Sequence, residues 1–234
     1  MKNLLKSKTT VIGLSASTPT VYTLRDYNSA VLNSEISFTD GSESWVQSTK
    51  IDTQSEQAFG ADCYTDYTML APAKFNVSLG GTIGRSLALG AEYEYSDYKN
   101  IQLYDEYGNE NVPVNELRNS VFAGQHTFRL GVEKAFGSFY TRLGYNYQFG
   151  GYGDNAWKMI PINSVQTNTA YTNINSTANY TCGIGYRGKV FYVDATLLYS
   201  MQSADFYPFE DSELPSTSLS RSLMRGMMTV GMRF

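Results

Sequence analysis

Apolar residues recur at every second position over six stretches of the chain: Lys74–Ile83, Leu87–Tyr95, Phe128–Phe136, Phe139–Phe149, Tyr180–Arg187 and Lys189–Met201. A seventh stretch, Arg225–Phe234, sets Met228, Val230, Met232 and Phe234 on one side and Thr229, Gly231 and Arg233 on the other. Period-2 alternation sends successive side chains to opposite faces, so these stretches predict strands with one apolar face. The six earlier stretches are each about ten residues long, which at roughly 3.3 Å per residue and a tilt near 45° spans about 25 Å. That is the height of the apolar band of an outer-membrane barrel.

The predicted outward set includes Phe75, Val77, Leu79, Leu89, Leu130, Val132, Leu143, Val193 and Leu197. Tyr93, Tyr95, Tyr145, Tyr147, Phe149 and Tyr199 lie toward one end of their strands, as an interfacial aromatic girdle requires. Opposite them falls a polar or small set that includes Asn76, Ser78, Gly80, Glu92, Glu94, Arg129, Glu133, Arg142, Asn146 and Asp194.

Connections alternate in length. Gly84-Arg85-Ser86, Gly137-Ser138 and Gly188-Lys189 are tight turns with glycine available for positive φ, whereas Ser96–Gln125, Gly150–Asn179 and Gln202–Ser222 are long and polar. Short periplasmic turns and long extracellular loops are the expected assignment. Expected overall is an all-β chain, an antiparallel transmembrane β-barrel with about seven to nine strands present, in the bacterial cell outer membrane. Residues 58–234 carry these strands. Residues 1–57 read as a separate region with room for one or two strands in Val21–Phe38 and a polar loop at Ser42–Glu56. Lys6 and Lys8 interrupt what would be the apolar core of a secretory signal.

Composition narrows the function classes. Mean hydropathy is −0.31 and no apolar run approaches about 18 residues, so the sequence holds no transmembrane helix. A net charge of −4 and a pI near 5.1 supply no basic field for nucleic acid. Of the two cysteines, Cys182 falls in the outward set, where a small unpaired apolar residue explains it better than a disulfide with Cys63.

The runs Pro72-Ala-Lys-Phe-Asn-Val-Ser-Leu-Gly-Gly-Thr-Ile-Gly84 and Leu87-Ala-Leu-Gly-Ala-Glu-Tyr-Glu-Tyr-Ser-Asp-Tyr98 resemble the FadL/TodX family of outer-membrane transporters of long-chain fatty acids and other hydrophobic compounds. His126-Thr-Phe-Arg-Leu-Gly-Val-Glu133, Arg142-Leu-Gly-Tyr-Asn-Tyr147, Tyr180-Thr-Cys-Gly-Ile-Gly-Tyr-Arg187 and Asp205-Phe-Tyr-Pro-Phe209 continue the likeness, which covers roughly Ala58 to Phe234. The resemblance implies the carboxy-terminal half of a fourteen-stranded barrel. The family's amino-terminal hatch and its Asn-Pro-Ala-type motif have no counterpart here. Implied partners are the lipid bilayer, hydrophobic small molecules such as fatty acids, and the barrel-assembly machinery acting on the carboxy-terminal strand.

Candidate chemistry lies in the inward set. Pairing across Gly137-Ser138 places Glu133 opposite Arg142 and Arg129 opposite Asn146. Such pairs neutralise lumen charges and hold register, with Glu92 and Glu94 on the neighbouring strand as further partners. The sharper reading makes Arg129, Arg142, Arg187 and Arg225 ligands for a carboxylate head group, because guanidinium binds carboxylate bidentately. Arg129, facing neutral Asn146, tests that reading more cleanly than Arg142, which is expected to pair with Glu133. No inward histidine or serine completes a hydrolytic set, so no catalytic residue is assigned and an outer-membrane enzyme ranks last. His126, the single histidine, is a poor metal site, and Asp105-Glu-Tyr-Gly-Asn-Glu-Asn111 is off calcium-loop spacing, so neither metal nor cofactor is expected. The alternative to a transporter is a small structural or adhesive outer-membrane barrel with no transport activity.

Overall fold

In a computed structural model the chain is mostly antiparallel β-structure, and the residues described are 8–27, 31–52, 64–84, 86–153, 156, 169–209 and 214–232. In chain order the strands are β1 (Lys8–Ser17), β2 (Thr20–Tyr27), β3 (Val31–Asp40), β4 (Glu43–Asp52), β5 (Tyr64–Ala71), β6 (Lys74–Ile83), β7 (Leu87–Asp97), β8 (Gln102–Tyr104), β9 (Gly124–Phe136), β10 (Phe139–Phe149), β11 (Tyr171–Arg187), β12 (Phe191–Tyr207) and β13 (Thr217–Met232). A helix, α1 (Val112–Val121), stands between β8 and β9.

One eight-stranded sheet runs β1-β6-β7-β9-β10-β11-β12-β13, with every neighbour antiparallel. Among the described residues its edges, β1 and β13, have no strand on their outer sides, so the sheet is open. Gly84 and Gly137 both take φ near +64° and +63°, the left-handed conformation that a tight hairpin turn demands and that β-carbons resist.

Three adjacent strands break at one level. Ser17 pairs Lys74 and Thr20 pairs Ala71, so β2–β5 continues the β1–β6 ladder in the same register beyond Thr18-Pro19 and Pro72-Ala73. Proline donates no ladder hydrogen bond, which accounts for the interruption on both strands. The third strand breaks at a 3-10 turn, Tyr98–Asn100, capped by the Asp97 carboxylate, which accepts from the Lys99 amide at 3.2 Å. Beyond it β8 joins β5, making a small sheet, β2-β5-β8, in which Arg25 and Asp66 face each other as a bidentate ion pair.

Several expectations need correction. Ser42–Glu56 is not a loop through its length: Glu43–Asp52 is a strand, paired to β3 around Gly41 (φ 63°), with the Phe38 and Trp45 rings stacked at 5.4 Å across the hairpin. Lys8–Ser17, read as a failed signal core, is a full partner of β6, so the amino-terminal region contributes to the same sheet as residues after 58. The long polar connections are shorter than expected, because β11 and β12 run for 17 residues each and β13 for 16. Ser, Thr, Asn and Gln fill those extensions; pairing persists there although the apolar alternation has ended.

The register divides the sheet into two unlike faces. Leu79, Ala91, Leu130 and Tyr145 form one cross-strand row of the apolar face, and Leu89, Val132, Leu143, Cys182 and Leu197 form the next. These side chains are not covered: Leu143 is 60% exposed, Ile184 67% and Met228 71%. Among the described apolar residues only Ala156 and Ala204 are buried. The sheet is therefore held by its backbone ladder rather than by a core.

Glycines test this packing in opposite directions. A β-carbon on Gly150 would lie 2.2 Å from the Ile174 carbonyl oxygen, where β11 bulges between Ile174 and Ser176, whereas one on Gly90 would meet nothing within 4 Å. Gly150→Ala is expected to destabilise the fold by about 1–3 kcal/mol and Gly90→Ala to leave it unchanged or slightly stabilised, as read from urea unfolding midpoints.

Candidate functional site

The polar face is ordered in rows. Val11, Gly80, Gly90, Gly131, Gly144, Thr181, Leu198 and Arg225 follow one another strand by strand at a single level. Four consecutive glycines thus leave a bare strip across β6, β7, β9 and β10. A depression of about 670 Å³ takes in these glycines together with Leu79, Leu89, Ala91, Leu130, Val132 and Leu143, whose side chains belong to the apolar face, so at this level the sheet is thin from both sides.

Charged clusters border the strip on both sides. On the side leading to the long loops, Arg129 of β9 donates to Glu92 and, at 3.0 Å, to Glu94, both on β7. On the side of the tight turns, Arg142 of β10 donates through Nε to Glu133 at 2.5 Å and through Nη1 to Asp194 of β12 at 2.8 Å. Arg142 reaches over the intervening strand because β11 presents only Gly183 opposite Arg142 and Gly185 opposite Asp194. A β-carbon on Gly185 would sit 2.2 Å from the Asp194 Oδ1.

Each cluster sets one guanidinium against two carboxylates, which leaves each at a net charge of −1 when all are ionised. Glu92 and Glu94, the neighbouring-strand partners named above, both hold Arg129, and a third carboxylate would enter against the excess. Arg187 stacks over the Tyr140 ring at 4.4 Å, a cation–π contact on the same face near the turns. Arg225 ends the glycine row on the exposed edge strand β13, and among the described residues it has no carboxylate partner.

Sequence reading missed Asp194 as the second partner of Arg142, because the two are separated by a whole strand and meet only across paired glycines. It also missed a second aromatic group. Phe139, Tyr186 and Phe191 cluster on the apolar face near the turns, with ring centroids 5.1 and 5.6 Å apart. At the loop end of that face the expected girdle residues Tyr93 and Tyr145 pack against Phe128 and Tyr180, with Tyr93–Phe128 at 5.0 Å and Tyr145–Tyr180 at 5.1 Å. His126 sits in this group and its Nδ1 lies 2.7 Å from the Tyr93 hydroxyl. Lys134, also on the apolar face, turns its ammonium back to the Ser86 hydroxyl at 3.0 Å, as a lysine does near an interface.

In the loop after β8 the carboxylate of Asp105 accepts from the Asn109 side chain at 3.0 Å and from the amides of Asn109 and Tyr107. These bonds, the Asn109 side chain first, hold its carboxyl below the usual carboxylate range. Its oxygens serve to close a turn. Cys182 is a free, exposed thiol on the apolar face, while Cys63 and Phe234 lie outside the described residues.

Comparison with protein-family models, with curated proteins and with solved structures finds no match for this chain. The likeness to the FadL/TodX transporters therefore stands on the sequence runs that suggested it.

The bridge over β11 is open to a double-mutant test. Arg142 and Asp194 are expected to couple by about 1–2 kcal/mol, discounted for their partial exposure. In a Gly185→Ala background that coupling should fall toward zero, because the new methyl displaces the Asp194 carboxylate, while the Glu133–Arg142 coupling persists. Unfolding midpoints of the two cycles supply the measurement.

Proposed function

We propose that this chain forms wall of an outer-membrane β-barrel related to transporters that take up long-chain fatty acids or other hydrophobic compounds. The observation that carries the reading is a sheet with an uncovered apolar face and almost no buried apolar side chains. Water does not stabilise such a face, whereas a bilayer does. Two aromatic groups border an aliphatic belt, and Phe139 and Tyr145 on β10 are six residues apart, roughly 20 Å along the strand. Aromatic residues at both ends of an apolar belt are the girdle pattern of outer-membrane barrels. No helix among the described residues is long and apolar enough to cross a membrane, which does not bear on strands.

The polar face would then line the lumen. Bare backbone along Gly80, Gly90, Gly131 and Gly144 gives an apolar tail a smooth track, and Arg225 at the end of that row offers the cation for an anionic head. A carboxylate drawn out of water needs such a charge-assisted bond. The second reading, a structural or adhesive barrel without transport, draws on the eight strands of the sheet, the number found in small closed barrels, and on the saturated ion pairs.

Membrane placement has a direct test. The chain should fractionate with outer membranes, and Leu130→Arg should cost about 2–4 kcal/mol of folding stability in a bilayer. Finding the chain monomeric and folded in plain buffer would defeat the proposal.

Transport has its own. Arg225→Ala should weaken fatty acid binding by about 1 kcal/mol, roughly fivefold, given its exposure. Arg129→Ala should instead reduce stability, by leaving Glu92 and Glu94 facing each other, with little change in affinity. Equal affinity in wild type and Arg225→Ala, measured by calorimetry on folded protein, would remove Arg225 from the site; no fatty acid binding by the wild-type chain would favour the structural barrel.

A further inference from the structure

Where the polar face meets the long loops, a cavity of about 320 Å³ is enclosed by a different chemistry from the rest of that face. Its lining includes the side chains of Gln125, Gln148, Thr177 and Gln202. Gln148, Thr177 and Gln202 are successive partners on β10, β11 and β12, so they form one polar row above the charged clusters. Not one charged residue lines the cavity.

Aromatic rings supply its walls. Phe122, just past α1, bridges to Tyr152, and their rings stand 6.0 Å apart. The Tyr98 ring lies against Gly151, so closely that a β-carbon there would be 3.3 Å from it. The bulge of β11 between Ile174 and Ser176 shifts the alternation by one residue, which brings Ile174, the partner of Ala204, to the same cavity.

We infer that this cavity is a binding site for a neutral sugar unit. A carboxamide presents both a donor and an acceptor, so three of them and a hydroxyl ask for a ligand with several hydroxyl groups around one body. Among the described residues the row holds one internal hydrogen bond, a long one from Gln202 Nε2 to Thr177 Oγ1 at 3.5 Å, which leaves its remaining donors and acceptors for such a ligand. A fatty acid head would find no cation here. A simple phenol would engage one amide and leave the others to water, so it gains less from the site than a ligand with several hydroxyl groups. The C–H face of a pyranose ring packs on aromatic rings while its edge meets the amides, and the cavity has both components.

The site is independent of what the apolar face contacts, so its test separates from that of membrane placement. Saturation-transfer NMR on the full chain, folded in a zwitterionic detergent without a sugar head group, would be run with methyl glucoside, methyl galactoside and methyl mannoside, with phenol as competitor. At least one glycoside is expected to receive saturation on its ring protons, phenol is expected not to displace it, and the double variant Gln148→Leu/Gln202→Leu is expected to lower its affinity fivefold or more. Heat-dependent gel migration reports whether the variant is folded; if it is not, Gln125→Leu alone carries the comparison. Absence of transfer to all three glycosides, displacement by phenol, or unchanged affinity in a folded variant would overturn the assignment.

Discussion

Hydrogen bonding between neighbouring antiparallel strands is the constraint on which this structure depends. A folded chain ordinarily offsets the conformational entropy of its ordered backbone by burying apolar side chains. Here the described residues bury almost none, and the ladder from β1 to β13 satisfies the backbone polar groups of each strand through its neighbours. An environment that will cover Leu130, Leu143, Ile184 and Met228 is then a condition of stability rather than an addition to it. Such an environment also strengthens the ladder, since backbone groups denied water have no alternative partner.

The ladder in turn fixes the chemistry of the polar face. Once Phe136 pairs Phe139 across the Gly137 turn, Glu133 must meet Arg142, and the β7–β9 register separately sets Arg129 at the level of Glu92. Glycine then decides how far each charge can reach. Gly183 and Gly185 let Arg142 cross β11 to Asp194, while the row Gly80, Gly90, Gly131, Gly144 keeps the two clusters apart. Sheet register and side-chain reach are thus two parts of one arrangement: a side chain on Gly185 would meet the Asp194 carboxylate and break an ion pair that spans β11.

Strands with clean alternation and glycine turns were legible in the sequence down to individual partners, as Glu133 and Arg142 show. Strands without that contrast were not. Lys8–Ser17 places Val11 and Ile12 side by side, one on each face, and adjacent apolar residues erase the period-2 signal. Glu43–Asp52 is polar on both faces around Trp45 and Val46, and the outer halves of β11, β12 and β13 are rich in Ser, Thr, Asn and Gln with apolar residues such as Ile174 and Leu219 scattered among them, so no sustained apolar period marks them as strands. The candidate site was legible as a set of residue types but not as a set of partners. Glu92 and Glu94 were legible as partners for the arginines, but which arginine they hold was not: the β9–β10 turn gives only Asn146 opposite Arg129, and the β7–β9 register brings both glutamates to it.

Charge along the polar face limits where an anionic molecule can rest. The Arg129 and Arg142 clusters each carry one more carboxylate than guanidinium, so both borders of the glycine row repel a fatty acid head. The row itself is uncharged until Arg225, and the amide cavity above it is uncharged as well. On the proposed reading, an amphiphile moving along this wall lays its tail over bare backbone and is held off the paired arginines, so its head is driven to the β13 edge. Ion pairs in such a wall serve selectivity by denying binding: a saturated arginine keeps the register and offers the passing carboxylate nothing.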